Sequence, residues 1–381
     1  VRIDLDHNAT TRLDPRVAAA MREALDGLAG NPSSIHEEGR RAREAVERAR
    51  AQVAALLEVP TNEVFFTSGG TEADTLALLG LGRAARAAGR PARALTTPVE
   101  HSAVSAALAA LEAEGWEVLR LPIDGHGRVA PDDIGAVAAG GLALASFIYA
   151  QNELGNLYPI ERLAAAARAL GAVVHSDAVQ ALGKVPVAPR ALGLDAASVS
   201  AHKIHGPKGV GALWLRGGVP FAPPVHGHHE RGMRPGTENV LGIVGFGVAA
   251  SLARAEGVAS AARQAALRDR LEAAVASVPG ARRHGDPGAD RLPNTLNLGF
   301  VGVPGDVLVA ALDLEGVMAS TGSACTSGTV EPSKTLSALG LPRERATEGV
   351  RLSLGRDTTE AEVERVAAIL PALVDRIRRS L

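Results

Sequence analysis

The chain has 381 residues, 46% of them apolar and 22% charged, with a formal net charge of −2. This is the composition of a folded globular protein long enough for two domains, and it gives no electrostatic footprint for nucleic acid or an anionic membrane. A single cysteine, Cys325, excludes an internal disulfide and a cysteine-rich metal site.

In chain order, Asp6-His7-Asn8-Ala9-Thr10-Thr11 closes a short apolar strand, and Pro15 opens an amphipathic helix to about Ala29. The polar loop Asn31-Pro32-Ser33-Ser34-Ile35-His36 leads into a charged helix from about Glu37 to Glu58. Its pairs Arg43–Glu47 and Glu44–Arg48, at i,i+4 spacing, read as a solvated face. From Val64 onward strands and helices alternate. Strands are predicted at 64–67, 94–97, 118–121, 142–149, 172–175 and 196–200, and helices near 71–88, 101–114, 132–139, 159–170 and 178–182. Such alternation implies a mostly parallel sheet covered by helices, with a ligand site at the strand ends. A helical region from about Glu238 to Ser277, broken or kinked at glycines, bridges to a small α+β unit. That unit reads as strand 294–300, helix 305–314, strand 317–320, a loop carrying Cys325, helix 332–339, strand 349–354 and helix 358–379. No apolar run approaches the ~18 residues of a membrane span, and the polar start lacks a signal pattern. The expectation is a cytoplasmic protein with no membrane partner.

The stretch from Ser200 to Gly209, Ser-Ala-His-Lys-Ile-His-Gly-Pro-Lys-Gly, lies between a buried strand and a second strand, 212–215. Only four of the 40 basic residues are lysine, at 184, 203, 208 and 334. A chain that takes nearly all its positive charge from Arg keeps Lys where Arg cannot serve, as in a Schiff base that needs a neutral amine. Ser68-Gly69-Gly70-Thr71 offers free N–H groups at a helix start, suited to a phosphate, yet it is neither a Walker loop nor a dinucleotide fingerprint. Asp177 at a strand end can pair with a protonated heterocycle nitrogen or cap the next helix. His101 can lie on a cofactor face and move protons, or simply start its helix. His226, His228 and His229 lack the spacing of a zinc site, so no metal is expected. Together these groups suit pyridoxal 5'-phosphate (PLP).

The same residues carry a resemblance that spans nearly the whole chain. Besides the motifs already quoted, it rests on Thr67-Ser68-Gly69-Gly70-Thr71-Glu72, Glu100-His101, Asn152-Glu153-Leu154-Gly155 and His175-Ser176-Asp177-Ala178-Val179-Gln180. It continues through Glu230-Arg231-Gly232, Gly236-Thr237, Gly322-Ser323-Ala324-Cys325-Thr326-Ser327 and Arg351-Leu352-Ser353-Leu354-Gly355. The chain resembles the cysteine desulfurases of the NifS/IscS type, in the class-V aminotransferase group of fold-type-I PLP enzymes. The resemblance implies an α/β large PLP-binding domain, 14–250, and a smaller α+β domain, 1–13 with 251–381, carrying the Cys loop at about 320–332.

It further implies that Lys203 holds PLP covalently and that Asp177 pairs with the ring nitrogen. Gln180 and Asn152 would face the ring hydroxyl, and His101 would stack on the ring. Gly70, Thr71, Ser200 and His202 would bind the phosphate, and Thr237 would reach the phosphate of a partner subunit in a homodimer. Arg351, with Asn31, would hold the carboxylate of the substrate L-cysteine, and Cys325 would take its sulfur as a persulfide, releasing alanine. An iron–sulfur scaffold or another sulfur-acceptor protein, such as one serving tRNA thiolation, would receive the sulfur. Selenocysteine lysis or transamination on the same scaffold is the alternative. The chain departs from the family pattern at Ala73-Asp74-Thr75, at His205 in place of the common Tyr, at His226, His228 and His229, and at Pro235.

Overall fold

The structure, a computed structural model, describes residues 2–288, 290–321 and 331–380. The chain opens with β1 (Ile3–Asp4), α1 (Pro15–Gly27) and α2 (Glu37–Leu57). There follow β2 (Val64–Thr67), α3 (Gly70–Ala87), β3 (Arg93–Thr96), α4 (Ser102–Ala113), β4 (Glu117–Arg120) and the short α5 (Ile134–Val137). Next come β5 (Leu144–Ile148), α6 (Ile160–Ala169), β6 (Val173–Asp177), β7 (Ala196–Ser200), β8 (Gly211–Leu215) and the long α7 (Val240–Val275). The remainder is β9 (Ala281–His284), β10 (Thr295–Phe300), α8 (Gly305–Leu314), β11 (Val317–Met318), α9 (Lys334–Ala338), α10 (Arg343–Ala346), β12 (Gly349–Ser353) and α11 (Glu360–Ser380).

Seven strands form one sheet in the order β2-β8-β7-β6-β5-β3-β4. The pairings from β4 through β7 are parallel, and β8 runs antiparallel to both β7 and β2. Successive side chains of a strand point to opposite faces, and the two faces here have separate cores. Leu95, Ala145, Ala197 and Ala212 pack with Val46 and Leu57 of α2, Leu163 of α6 and Phe246 of α7. Their strand neighbours Ala94, Leu144, Ala196 and Leu213 pack with Leu78 of α3 and Leu108 of α4. Covered on both faces, β5, β7 and β8 bury every residue, which is why they read as continuous apolar runs. A further core joins Ile3 and Leu5 to Leu271 of α7, Leu298 of β10, Leu352 of β12 and Val366 and Leu370 of α11. There β9, β10 and β12 form an antiparallel sheet and β1 pairs with β11 in parallel.

Several elements differ from expectation. Residues 178–182 form successive turns, not a helix: Ala178 N–H is drawn to Ser198 O, and Gly183, at φ +71°, ends the run. Of the break or kink expected at glycines in the bridging helix, the break does not occur: α7 is continuous over 36 residues. Its glycines serve close packing instead. A Cβ on Gly245 would lie 2.7 Å from Met21 Sδ, and one on Gly247 would lie 2.6 Å from Ala49 Cα. Length and composition alone would let this helix cross a bilayer. It lies across both cores, burying Ile243, Phe246 and Ala249 in one and Leu267, Leu271 and Val275 in the other. Nor is the charged face of α2 wholly solvated. Arg50 is 3% exposed and forms a two-pronged pair with the buried Glu230 at 2.7 Å. Removing either partner would strand a buried charge, at a cost of about 3–5 kcal/mol.

Candidate active site

The turn after β7 is clamped by the segment after β1. His202 O accepts from Thr11 N at 2.9 Å and from Thr11 Oγ1 at 2.8 Å, and His205 N–H donates to Thr11 Oγ1 at 2.7 Å. Lys203 Nζ donates to the carbonyls of Asn8 and Ala9, the latter at 2.8 Å. Desolvation, and then the Arg351 guanidinium, push the Lys203 amine down to about 8. Its nitrogen is thus held by oriented acceptors and can shed its proton near neutral pH.

Lys203 opens on a cleft of about 410 Å³ at the C-terminal ends of the parallel strands. Gly70 and Thr71 reach it from the start of α3, His101 from the loop after β3, and Asn152 from the loop after β5. Asp177 ends β6, Gln180 follows it, and Ser200 ends β7. Ser200 Oγ is buried with no hydrogen-bond partner, beside the free amides at the start of α3. A Cβ on Gly70 would come within 2.7 Å of Val179, so the chain keeps that approach open only with glycine. Together these groups make an anion cradle.

The opposite end of the cleft is acidic. Asp177 Oδ1 accepts from Val179 N–H at 2.9 Å, and burial raises its carboxyl despite His101 and Lys203 nearby. Asp74 is buried too, with Oδ1 unpartnered, and desolvation followed by Asp177 pushes its carboxyl well up. His175 lies 3.7 Å from Asp74 but is held between the Ser146 and Ser198 hydroxyls, each at 2.9 Å. Burial drives His175 down to about 3, so it lends no charge. Glu100, behind His101, is raised to about 8 by burial. His101 Nδ1 accepts from Ala103 N–H at 3.2 Å, capping α4. In a neutral ring this bond leaves the proton on Nε2. Donor atoms of Asp74, His101 and Asp177 lie within 4.8 Å of one another, a set able to meet a cation of either kind, metal or ring N–H.

The family model described as aminotransferase class-V matches residues 3–366. The chain belongs to the class-V aminotransferase family. Within it the relatives are cysteine desulfurases. One from Trichormus azollae is 45% identical over 99% of this chain and 94% of its own length. One from Cereibacter sphaeroides is 47% identical over 99% and 97%. A solved NifS-like protein superposes with a TM-score of 0.92 at 35% identity, covering 99% of this chain and 100% of its own.

Of the site residues named from the sequence, the class-V fold brings Gly70, Thr71, His101, Asn152, Asp177, Gln180, Ser200, His202, Lys203 and Arg351 into one cleft. Arg351 donates to Asp6 Oδ1 at 2.8 Å and to Asn152 O at 3.2 Å, and its buried Nε has no partner. Asn31 is not brought there. It is exposed, and its side-chain oxygen accepts from Ser33 N–H at 2.9 Å, shaping its own loop. Thr237 borders a separate cavity with Ser68, Gly209 and Arg234. His226 and His228 are exposed, and His229 Nδ1 accepts from Gly236 N–H at 3.2 Å. Cys325 lies outside the described residues.

The segments that flank it are tied to the cleft. Ser320 lines the cleft and pairs with Arg351 through both backbone groups, and Ser333 Oγ and Thr335 Oγ1 donate to the buried Glu153 at 2.6 and 2.9 Å. Sequence reasoning gave no role to Asn8, Asp74, Glu100 or Lys184. Asn8 joins the two units: its Nδ2 donates to Thr295 Oγ1 at 2.8 Å and to Asn152 O at 3.0 Å. Its place in the quoted motif was the available signal, whereas nothing local in sequence marks Asp74 as buried.

Proposed function

We propose that this protein is a PLP-dependent cysteine desulfurase, which converts L-cysteine to L-alanine and carries the sulfur on Cys325. The observation that carries the reading is Lys203, a lysine with a lowered proton affinity, sharing one cleft with an unsatisfied anion cradle and a buried carboxylate. The residues fit the cofactor. Ser200 Oγ, His202 and the α3 amides suit its phosphate, and Asp177 suits a ring N–H that supplies the missing positive charge. A metal at Asp74, His101 and Asp177 would leave the lysine and the cradle without a purpose.

When bound, PLP would act as an electron sink that lets the substrate carbon keep the electron pair of the carbon–sulfur bond, so that the sulfur is open to attack by a thiolate. Lys203 would anchor it and, in its neutral form, would serve as the base for the proton on the substrate Cα. His101 would cover the ring, and with Nδ1 engaged by Ala103 N–H its Nε2 would be the atom left to move a proton. The Arg351 fork is suited to the substrate carboxylate, in exchange for its contact with Asp6. The Cys325 thiolate takes the sulfur: the carbon–sulfur bond of cysteine breaks, a sulfur–sulfur bond forms, and the carbon regains a proton, giving alanine and an enzyme persulfide. The anchored flanks of the Cys325 segment support its delivery to the cleft rim. The exclusion of Thr237 from its own chain's cleft supports a homodimer in which it serves the partner's site. The persulfide then passes to a sulfur-acceptor protein, with an iron–sulfur scaffold as the leading choice.

Cys325→Ser is the decisive variant. It should retain PLP and still bind cysteine, yet form no persulfide and release little alanine. The unaltered protein should gain one sulfur on the peptide containing Cys325, removable by a reductant. Cysteine turnover by Cys325→Ser at the unaltered rate would replace this mechanism with a plain PLP lyase.

A further inference from the structure

Lysine is rare in this chain, with four among 40 basic residues, and the reaction described above uses one of them. Lys184, in the turns after β6, has a defined place that this reaction leaves unexplained. Its Nζ donates to Gln180 Oε1 at 2.8 Å and to Gln180 O at 3.1 Å. Gln180 Nε2 in turn donates to Asn8 O at 2.8 Å, and the same carbonyl accepts from Lys203 Nζ. Turning the Gln180 amide over would set its NH₂ against the Lys184 amine and its oxygen against the Asn8 carbonyl. Both contacts would be repulsive. Lys184 and Asn8 therefore select one amide orientation, which leaves a single N–H of Gln180 free for the cleft.

The two lysines also share a second, smaller cavity behind the turn, of about 50 Å³. That is room for a water or two. The charged and titratable groups around it are His205 of the turn, His7 of the N-terminal segment, Glu256 of α7 and Arg356 beyond β12. Arg351 acts on both lysines through space. Among the described residues the Lys184 amine hydrogen-bonds to Gln180 alone, with no carboxylate. Desolvation, then Lys203 and Arg351, lower it to about 7.

We propose that Lys184 is a positioning residue that acts through the Gln180 side chain on the Lys203 nitrogen and on the hydroxyl-bearing edge of the cofactor ring. The proposal rests on the PLP reading above. A cation behind Gln180 strengthens its free N–H as a donor toward the ring oxygen, and that lowers the proton affinity of the nitrogen that joins protein and cofactor.

The visible absorbance of bound PLP reports the protonation of that nitrogen, so its pH titration is a test independent of turnover. Lys184→Met should raise the titration midpoint by about one pH unit, a tenfold change in proton affinity. Lys184→Arg, which restores charge and donors, should return it toward the unaltered value. Because the effect passes through an amide, Lys184→Met should shift the midpoint much less in a Gln180→Ala background. An unchanged midpoint in Lys184→Met, or an equal shift with and without the Gln180 side chain, would overturn the proposal. If Lys184→Met does not fold, Lys184→Arg decides alone: its permanent charge should hold the midpoint at or below the unaltered value, and a rise would refute the role. Absence of any visible band in the unaltered protein would instead refute the PLP reading.

Discussion

On the cleft side of Lys203 stand the buried carboxyls of Asp74 and Asp177, with Glu100 beyond them next to His101, all with raised proton affinity. On its other side stand His205, lowered to about 4, and Lys184, lowered to about 7, and His202 at the phosphate end of the cleft is lowered to about 4 as well. These shifted groups are acids in the one set and bases in the other, while the leading cause of every shift is the same loss of water. Burial drives acids and bases alike toward their neutral forms. Apart from the Arg351 guanidinium and Lys203, the cleft is therefore poor in charge until a ligand brings its own. A ring N–H draws the proton-rich acidic side toward ionisation, and a phosphate does the same for the basic side. Lys203 lies between them with an amine near its own titration point, at about 8.

The largest effect comes from removing that centre. Lys203→Ala should abolish alanine release and the visible band of the bound cofactor. Lys208→Ala, on the exposed part of the same turn, should keep the band. The opposite result would overturn the choice of lysine. A sharper comparison sets the two aspartates against each other. Asp177→Asn removes the charge that holds the ring nitrogen, and hydrogen bonds to charged groups are worth about 1.5–3 kcal/mol. PLP retention, measured by equilibrium dialysis, should weaken by about ten- to a hundredfold. Asp74→Asn replaces a carboxyl already driven toward its neutral form, so retention should change by less than about threefold. Equal losses in the two variants would show that Asp74 carries charge in the holoenzyme.

How legible this was in the sequence depends on the range over which each signal acts. The parallel sheet was readable because β5 and β7 are covered on both faces, and that burial writes a continuous apolar run into a few residues. Lys203, Asp177 and His101 were readable because each sits at a strand end or a helix start, inside a short motif. What failed was non-local. The glycines of α7 read as breaks, but they are sites of approach to Met21 and Ala49, distant in sequence. The pairing of Arg50 left no mark on the charge pattern of α2, because its partner Glu230 is 180 residues away. Asp74 stood out only as part of a departure from the family pattern, at Ala73-Asp74-Thr75. Its importance lies in which strand ends surround it, and local pattern carries no record of that.

The smallest expected effect tests the acidic side without the cofactor. Glu100 Oε1 accepts from Thr97 Oγ1 at 2.7 Å and from Ile148 N–H at 3.0 Å, while Oε2 is buried without a partner. Burial raises the carboxyl from 4.5 to about 8 in the folded protein. Between those two values the folded state binds more protons at this site than the unfolded state does. Stability contributed by Glu100 must therefore fall as pH rises through that window, and it is flat below it. Glu100→Gln keeps the oxygen that receives both hydrogen bonds but cannot titrate. In urea unfolding of the cofactor-free proteins, the difference between variant and unaltered chain should grow in the variant's favour from pH 5 to pH 7. The expected slope is on the order of 1 kcal/mol per pH unit. His202 and His205 act in the opposite sense, since their lowered folded values make stability rise from about pH 4 to 6.5. That contribution is common to both proteins and cancels in the difference. A flat difference across this range would mean that water or a neighbouring donor reaches Oε2, and that the acidic side of the cleft is charged before any cofactor arrives.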